Sequence, residues 1–173
     1  MRVKCVSAQK QVVLAYFIWA GDHENKFPMA VSVANGGVRE MLETSAVTIY
    51  RLMSNELNDP KVLICPEDKL HNPAAGFATL GESNLSYFVG LDAEKPSTSR
   101  VLSGDRTVEV NGRLAGTGLV RIESTSIVRW PKQIHYKLGI VGMADGSVQR
   151  TDSKQLKELL QSTGLATNRL LIP

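Results

Sequence analysis

The stretch Val12 to Ala20, VVLAYFIWA, constrains this chain more than any other. Nine consecutive apolar residues follow a basic start and precede a polar turn, GDHENK. A bilayer-crossing helix needs about 20 such residues, so the run is too short to span. A secretory signal would end in small residues at a cleavage point, and this run ends in Gly-Asp-His-Glu. The run must therefore be covered by the protein's own fold. Over residues 2 to 20 it has helical character. Val6, Val13, Phe17 and Ala20 fall on one side, and Cys5, Val12, Tyr16 and Trp19 on an adjoining one. Arg2, Lys4, Gln9 and Lys10 occupy the remainder. A stripe this wide predicts a helix largely covered by something else, a sheet being the natural partner.

At 173 residues the chain has the length of one domain with a real core, and no linker or repeat divides it. Its net charge of +3 is scattered, and the densest basic cluster is only Arg2 and Lys4. That leaves no electrostatic footprint for nucleic acid. The two cysteines, Cys5 and Cys65, form no CxxC or Cys/His zinc spacing. As a pair they fit buried thiols in a reducing compartment or one disulfide in an oxidising one.

Past Gly21 and Pro28 a second helix is expected over about 38 to 57, with Leu42, Ala46, Ile49, Tyr50, Met53 and Leu57 on one face. KVLIC, at 61 to 65, reads as a short buried strand, and 66 to 83 as a long loop. Further strands are expected at 84 to 91, 101 to 104, 107 to 110 and within 122 to 130. In LGIVGMADGSVQR, Asp145-Gly146 predicts a two-residue type I′ hairpin, and Gly139 and Gly142 predict close backbone packing. A last helix opens on Asp152 with Gln155 three residues on, as in a capping box. The tail ATNRLLIP carries no assignment.

Chemistry is thinly signalled. Were the chain an enzyme, Asp105 and Arg106 in SGDR, His135 and Asp145 would be its acid, base and cation. Each has a simpler explanation: Asp145 as a turn residue, Asp105 and Arg106 as an Asx-turn or local ion pair, His135 as part of a surface segment. No nucleophile elbow, phosphate loop or HExxH is present. Asp92 and Glu94 offer two carboxylates for calcium, but the loop lacks a dense D-x-D-x-D pattern and reads as solvated. His23 and His71 have no partner at ligand spacing and are expected to face solvent. Trp19, Tyr16 and Phe17 could stack a cofactor, though on so apolar a helix they read as core. The expectation is no catalytic residue, no cofactor and no metal.

Several pieces in order carry a likeness: C-V-S-x-x-K-Q from Cys5, A-G-D-H-x-x-K-F-P-M from Ala20, M-S-N-E-L from Met53, V-L-I-C-P from Val62, N-L-S-Y-F-V-G from Asn84, L-S-G-D-R from Leu102, A-D-G-S-V-Q from Ala144 and T-G-L-A-T-N-R-L from Thr163. Together they resemble the type II secretion pseudopilins, in particular the general secretion pathway protein G-like, prepilin-type proteins. Ala8-Gln9 departs from the Asn-Leu usual in that group, and its leader, processing site and long apolar helix are not in this sequence. The resemblance implies a single α+β, pilin-like domain over 1 to 173. Residues 1 to 20 would be the periplasmic half of a long N-terminal helix, packed on an antiparallel sheet, with 21 to 173 as the head and additional short helices. A helix of about 19 residues spans roughly 28 Å, enough to cross four or five strands. It also implies a structural subunit that assembles with other pseudopilins and secretion-apparatus proteins. The native protein would be anchored in the inner membrane by a missing N-terminal segment, with its head in the periplasm. A membrane-anchored calcium- or ligand-binding module on the same scaffold is the alternative. In a periplasmic head, a Cys5–Cys65 disulfide would close a long loop, worth about 4 kcal/mol; free thiols are the other possibility.

Overall fold

A computed structural model describes residues 2–41, 45–93 and 99–173. Leu42 and Glu94, which figure in the expectations above, lie outside them. The architecture is mixed α+β, with a six-stranded antiparallel sheet and a few helices.

Helix α1 runs Arg2–Gly21, as the apolar periodicity predicts. The helix expected over 38 to 57 is shorter and broken. Residues Arg39–Met41 form a 3-10 turn, α2 spans Ala46–Leu52 and α3 spans Ser54–Leu57. The Ser45 hydroxyl accepts from the Val47 N–H and so starts α2 there. Asn58, at φ +62°, ends α3. KVLIC is not a strand. Asp59 caps a 3-10 turn over Pro60–Leu63, accepting from the Lys61 N–H, and proline at its first position favours the turn over an extended start. Leu63 and Cys65 are buried all the same, which is why the segment looks like a strand in sequence.

The strands of the large sheet are β1 (Tyr87–Gly90), β2 (Val101–Asp105), β5 (Gly118–Glu123), β7 (Leu138–Met143), β8 (Val148–Asp152) and β9 (Thr167–Ile172). Their order is β5-β9-β1-β2-β7-β8. The unassigned tail is thus an interior strand, β9, paired with β5 on one side and β1 on the other. Three short strands, β3 (Glu109–Val110), β4 (Arg113–Leu114) and β6 (Val128–Arg129), make a second sheet in the order β4-β3-β6. Helix α4, Ser153–Ser162, opens on the expected capping box. Asp152 Oδ1 accepts from the Gln155 N–H at 2.8 Å, and Gln155 Oε1 accepts from the Asp152 N–H at 2.9 Å.

The turn at Asp145-Gly146 differs from expectation. After Met143 the loop has three residues, Ala144 to Gly146: the Gly146 N–H bonds to Met143 O, and only Gly146 has positive φ. That is a type I turn closed by a left-handed glycine. The two-residue I′ loop, which needs positive φ twice, is at Asn111-Gly112 between β3 and β4, at +51° and +80°.

Alternation along the strands sends side chains to two separate cores. Tyr87, Val89, Ile140 and Leu171 join one that contains Val12, Val13 and Tyr16 of α1. Phe88, Val141, Leu170 and Ile172 join another that contains Trp130 and Leu156 and Leu160 of α4. The two β7 glycines serve opposite faces, each allowing a close approach. A Cβ on Gly142 would fall 2.3 Å from Val13 Cγ2, and one on Gly139 would fall 2.2 Å from the Trp130 ring.

Candidate functional site

Four residues distant in sequence meet at the edge of the first core. Cys5 comes from α1, Cys65 from the chain just past the 3-10 turn, Asp105 from the end of β2, and His135 from the segment leading into β7. One ligating atom each of Cys5, Cys65 and His135 lie within 4.8 Å of one another. Cys65 Sγ is 3.3 Å from His135 Nε2, and Asp105 Oδ2 is 3.4 Å from the same nitrogen. Asp105 Oδ2 also accepts from the Ile140 N–H at 2.7 Å, which ties the carboxylate to the start of β7.

The chain holds His135 inward by an unusual turn. Tyr136 and Lys137, directly after it, both have positive φ, +50° and +63°, and the Lys137 N–H bonds back to Pro131 O at 2.9 Å. Side chains with a Cβ rarely adopt this conformation, each at a cost on the order of 1 kcal/mol or more.

The site is almost dry. Both cysteines are fully buried, and no disulfide joins them. Asp105 is 1% exposed, and Tyr87, opposite it in the β1–β2 register, is fully buried. Burial pushes the Asp105 carboxyl up to about 7, a rise the Ile140 N–H opposes and the nearby Asp68 charge reinforces. Burial also raises both thiols, Cys65 the more strongly, with Asp105 adding to the effect on each. The Glu67 backbone works the other way on both. Asp105 Oδ1 and the Tyr87 hydroxyl are buried without a hydrogen-bond partner.

The residues singled out by sequence divide accordingly. Asp105 and His135 come together; His135 is buried rather than on the surface, and Asp105 forms no local Asx-turn. Arg106 points elsewhere, making a two-point ion pair with Asp68 through Nε (2.7 Å) and Nη2 (3.1 Å). Asp145 is exposed and accepts from the Ser147 N–H within its turn. Asp92, the calcium candidate, is engaged by Arg169, whose Nε and Nη2 lie 2.8 and 2.6 Å from Oδ1 while its backbone N–H donates to Oδ2. His23 stacks on Trp19 and His71 bonds Leu85 O, so neither simply faces water. Tyr16 packs edge-on against Phe27 and Tyr50, as a core residue does. The sequence shows no ligand spacing that would have joined Cys5, Cys65 and His135; the position of a buried histidine is set by the fold alone.

A second surface is set by α1. Val3, Leu14 and Ile18 are 81%, 57% and 48% exposed. At 3.6 residues per turn they fall within about 60° of arc. Gln9, expected on the polar side of the helix, is fully buried instead. No helix among the described residues is long and apolar enough to cross a membrane.

No protein-family model, no curated protein and no solved structure matches the chain.

Proposed function

We propose that the chain is the head of a pseudopilin-type subunit of a type II secretion or related pilus-like apparatus, acting by assembly and not by catalysis. The observation that carries the reading is the double face of α1. One side enters the first core through Val12, Val13 and Tyr16, and the other offers Val3, Leu14 and Ile18 to a partner. The same exposed face also carries Lys4, Ser7, Lys10 and Gln11, so a partner there meets apolar and polar groups together. In the pilin-like reading α1 is the lower part of a long helix laid on the sheet, and its outer stripe packs on the same helix of neighbouring subunits. The sequence resemblance supplies the rest: other pseudopilins and secretion-apparatus proteins as partners, and an inner-membrane anchor with a periplasmic head. Asp92 spends its carboxylate on Arg169, so a calcium-binding module gains no support from that loop.

Photo-crosslinkable residues at Leu14, Ile18 and, as a control, the exposed Lys154 test this in cells expressing the protein from its own gene. Ladders containing further copies of the chain or other pseudopilins are expected from positions 14 and 18 and not from 154. A protein that fractionates with the cytosol and yields no ladder from either α1 position would overturn the reading.

A further inference from the structure

We propose that Cys5, Cys65 and His135 form a three-ligand site for a zinc-type divalent cation, with Asp105 beside His135, and that this site ties α1 to the sheet edge. Zinc bonds of about 2.3 Å to sulfur and 2.0–2.1 Å to nitrogen or oxygen place neighbouring ligand atoms roughly 3.3–3.8 Å apart. The 3.3 Å separation of Cys65 Sγ from His135 Nε2 already has that size, and the Cys5 sulfur lies within 4.8 Å of both. Two thiolates and an imidazole form a soft and borderline set. That composition favours zinc over calcium or magnesium, which take oxygen ligands.

A further observation points to an occupant. Asp105 Oδ1 and the Tyr87 hydroxyl are fully enclosed without partners, an arrangement that is costly unless something else satisfies them. A cation held by the three neighbouring ligands would offset the charge of the enclosed Asp105 carboxylate. Metal binding needs no oxidant: the two thiols release their protons as the thiolates coordinate. A Cys5–Cys65 disulfide would instead require an electron acceptor.

The test uses the whole chain, reduced and purified without chelator, titrated with zinc and separately with cobalt. We expect about one equivalent of tightly held zinc. The cobalt form should show a sulfur-to-metal charge-transfer band with the intense visible absorption of a tetrahedral centre. The melting temperature should rise with zinc and not with calcium or magnesium. Cys65→Ser and His135→Ala should each hold less than about a tenth of an equivalent, while Asp145→Asn keeps the full amount. Wild-type protein that stays metal-free with both thiols titratable in excess zinc would overturn the proposal. So would a Cys5–Cys65 disulfide in protein isolated from cells that takes up no zinc after reduction. The cobalt spectrum is read on the wild type and so remains decisive even if a variant fails to fold. Metal content is also independent of assembly, so failure here and failure of the crosslinking experiment are separate results.

Discussion

Polar groups that enter the core around Trp130 find partners inside it. The Trp130 indole N–H donates to Thr151 Oγ1 at 3.0 Å, its backbone N–H donates to Ser153 Oγ at 3.0 Å, and Asn168 Nδ2 donates to Leu160 O at 2.9 Å. The core that receives α1 is different. There Gln9, the Tyr87 hydroxyl and one oxygen of Asp105 are enclosed and unpartnered. The first arrangement fixes α4 to the sheet for stability alone. The second resembles a region kept for something the protein holds or meets, since an enclosed polar group without a partner costs about 1–3 kcal/mol. Within one domain, the α4 side is finished structure and the α1 side is where function is to be sought.

The largest effect is expected at the ion pair of Asp68 with Arg106. Asp68 accepts from Ser86 Oγ as well as from Arg106 and the Leu70 N–H. Arg106→Ala leaves that carboxylate enclosed without its cation and should cost about 3–5 kcal/mol in urea unfolding. Burial alone would raise the Asp68 pKa, but the Arg106 and Ser86 contacts outweigh it and hold the carboxyl below its ordinary range. The unfolded chain therefore binds more protons in that window, and stability rises with pH. The contribution is complete above the unfolded carboxylate value of about 4 and disappears as pH falls through the folded one. Wild-type stability should drop between about pH 5 and pH 2, and Asp68→Asn should flatten that slope. A cost below about 1 kcal/mol for Arg106→Ala, the level of a surface pair, would mean that this region is held by apolar packing alone.

The β7 glycines compare the two cores more directly, because they lie on one strand and face opposite ways. Gly139→Ala drives a methyl into the Trp130 ring, which two hydrogen bonds hold in place. Gly142→Ala meets the tip of Val13 on a single helix. Overpacking costs roughly 1–3 kcal/mol, and we expect Gly139→Ala at the upper end and Gly142→Ala at the lower. Adding Val13→Ala should recover most of the Gly142→Ala loss, and no comparable single change should rescue Gly139→Ala. Equal, unrescued losses in thermal melts would show that α1 is held as rigidly as Trp130.

Sequence made the helices legible in proportion to how local their causes are. Helix α1 follows from an apolar period and α4 from its Asp152–Gln155 box, both contained within a few turns of chain. KVLIC misleads because burial and β-rich composition are shared by strands and by a proline-started 3-10 turn, and Asp59 decides between them. The I′ signal was present twice, and only the Asn-Gly between β3 and β4 uses it. Strand β9 hides because Thr167, Asn168 and Arg169 look like a polar tail until Asp92 takes the arginine. The site was the least legible part. Positions 5, 65, 105 and 135 share no spacing, and only the sheet register and the left-handed turn at Tyr136 and Lys137 bring them together.

Gln9 gives the smallest effect and the cleanest sign. Its side-chain amide is fully buried, and neither Nε2 nor Oε1 has a hydrogen-bond partner. A Cβ built on Gly142 would lie 3.1 Å from that Nε2, so the side chain reaches the sheet. Methionine keeps its length and flexibility while removing both polar groups. Replacing an unsatisfied buried amide with an apolar group of similar shape is neutral to stabilising, so Gln9→Met should gain about 1 kcal/mol. A Trp130→Phe change, which takes from Thr151 Oγ1 the indole donor it accepts from, should have the opposite sign. Both are read from urea unfolding at neutral pH. If Gln9→Met instead destabilises, the amide is already satisfied in solution by a buried water or a partner. The contrast between the two cores would then narrow to Tyr87 and Asp105, the groups beside the cysteines.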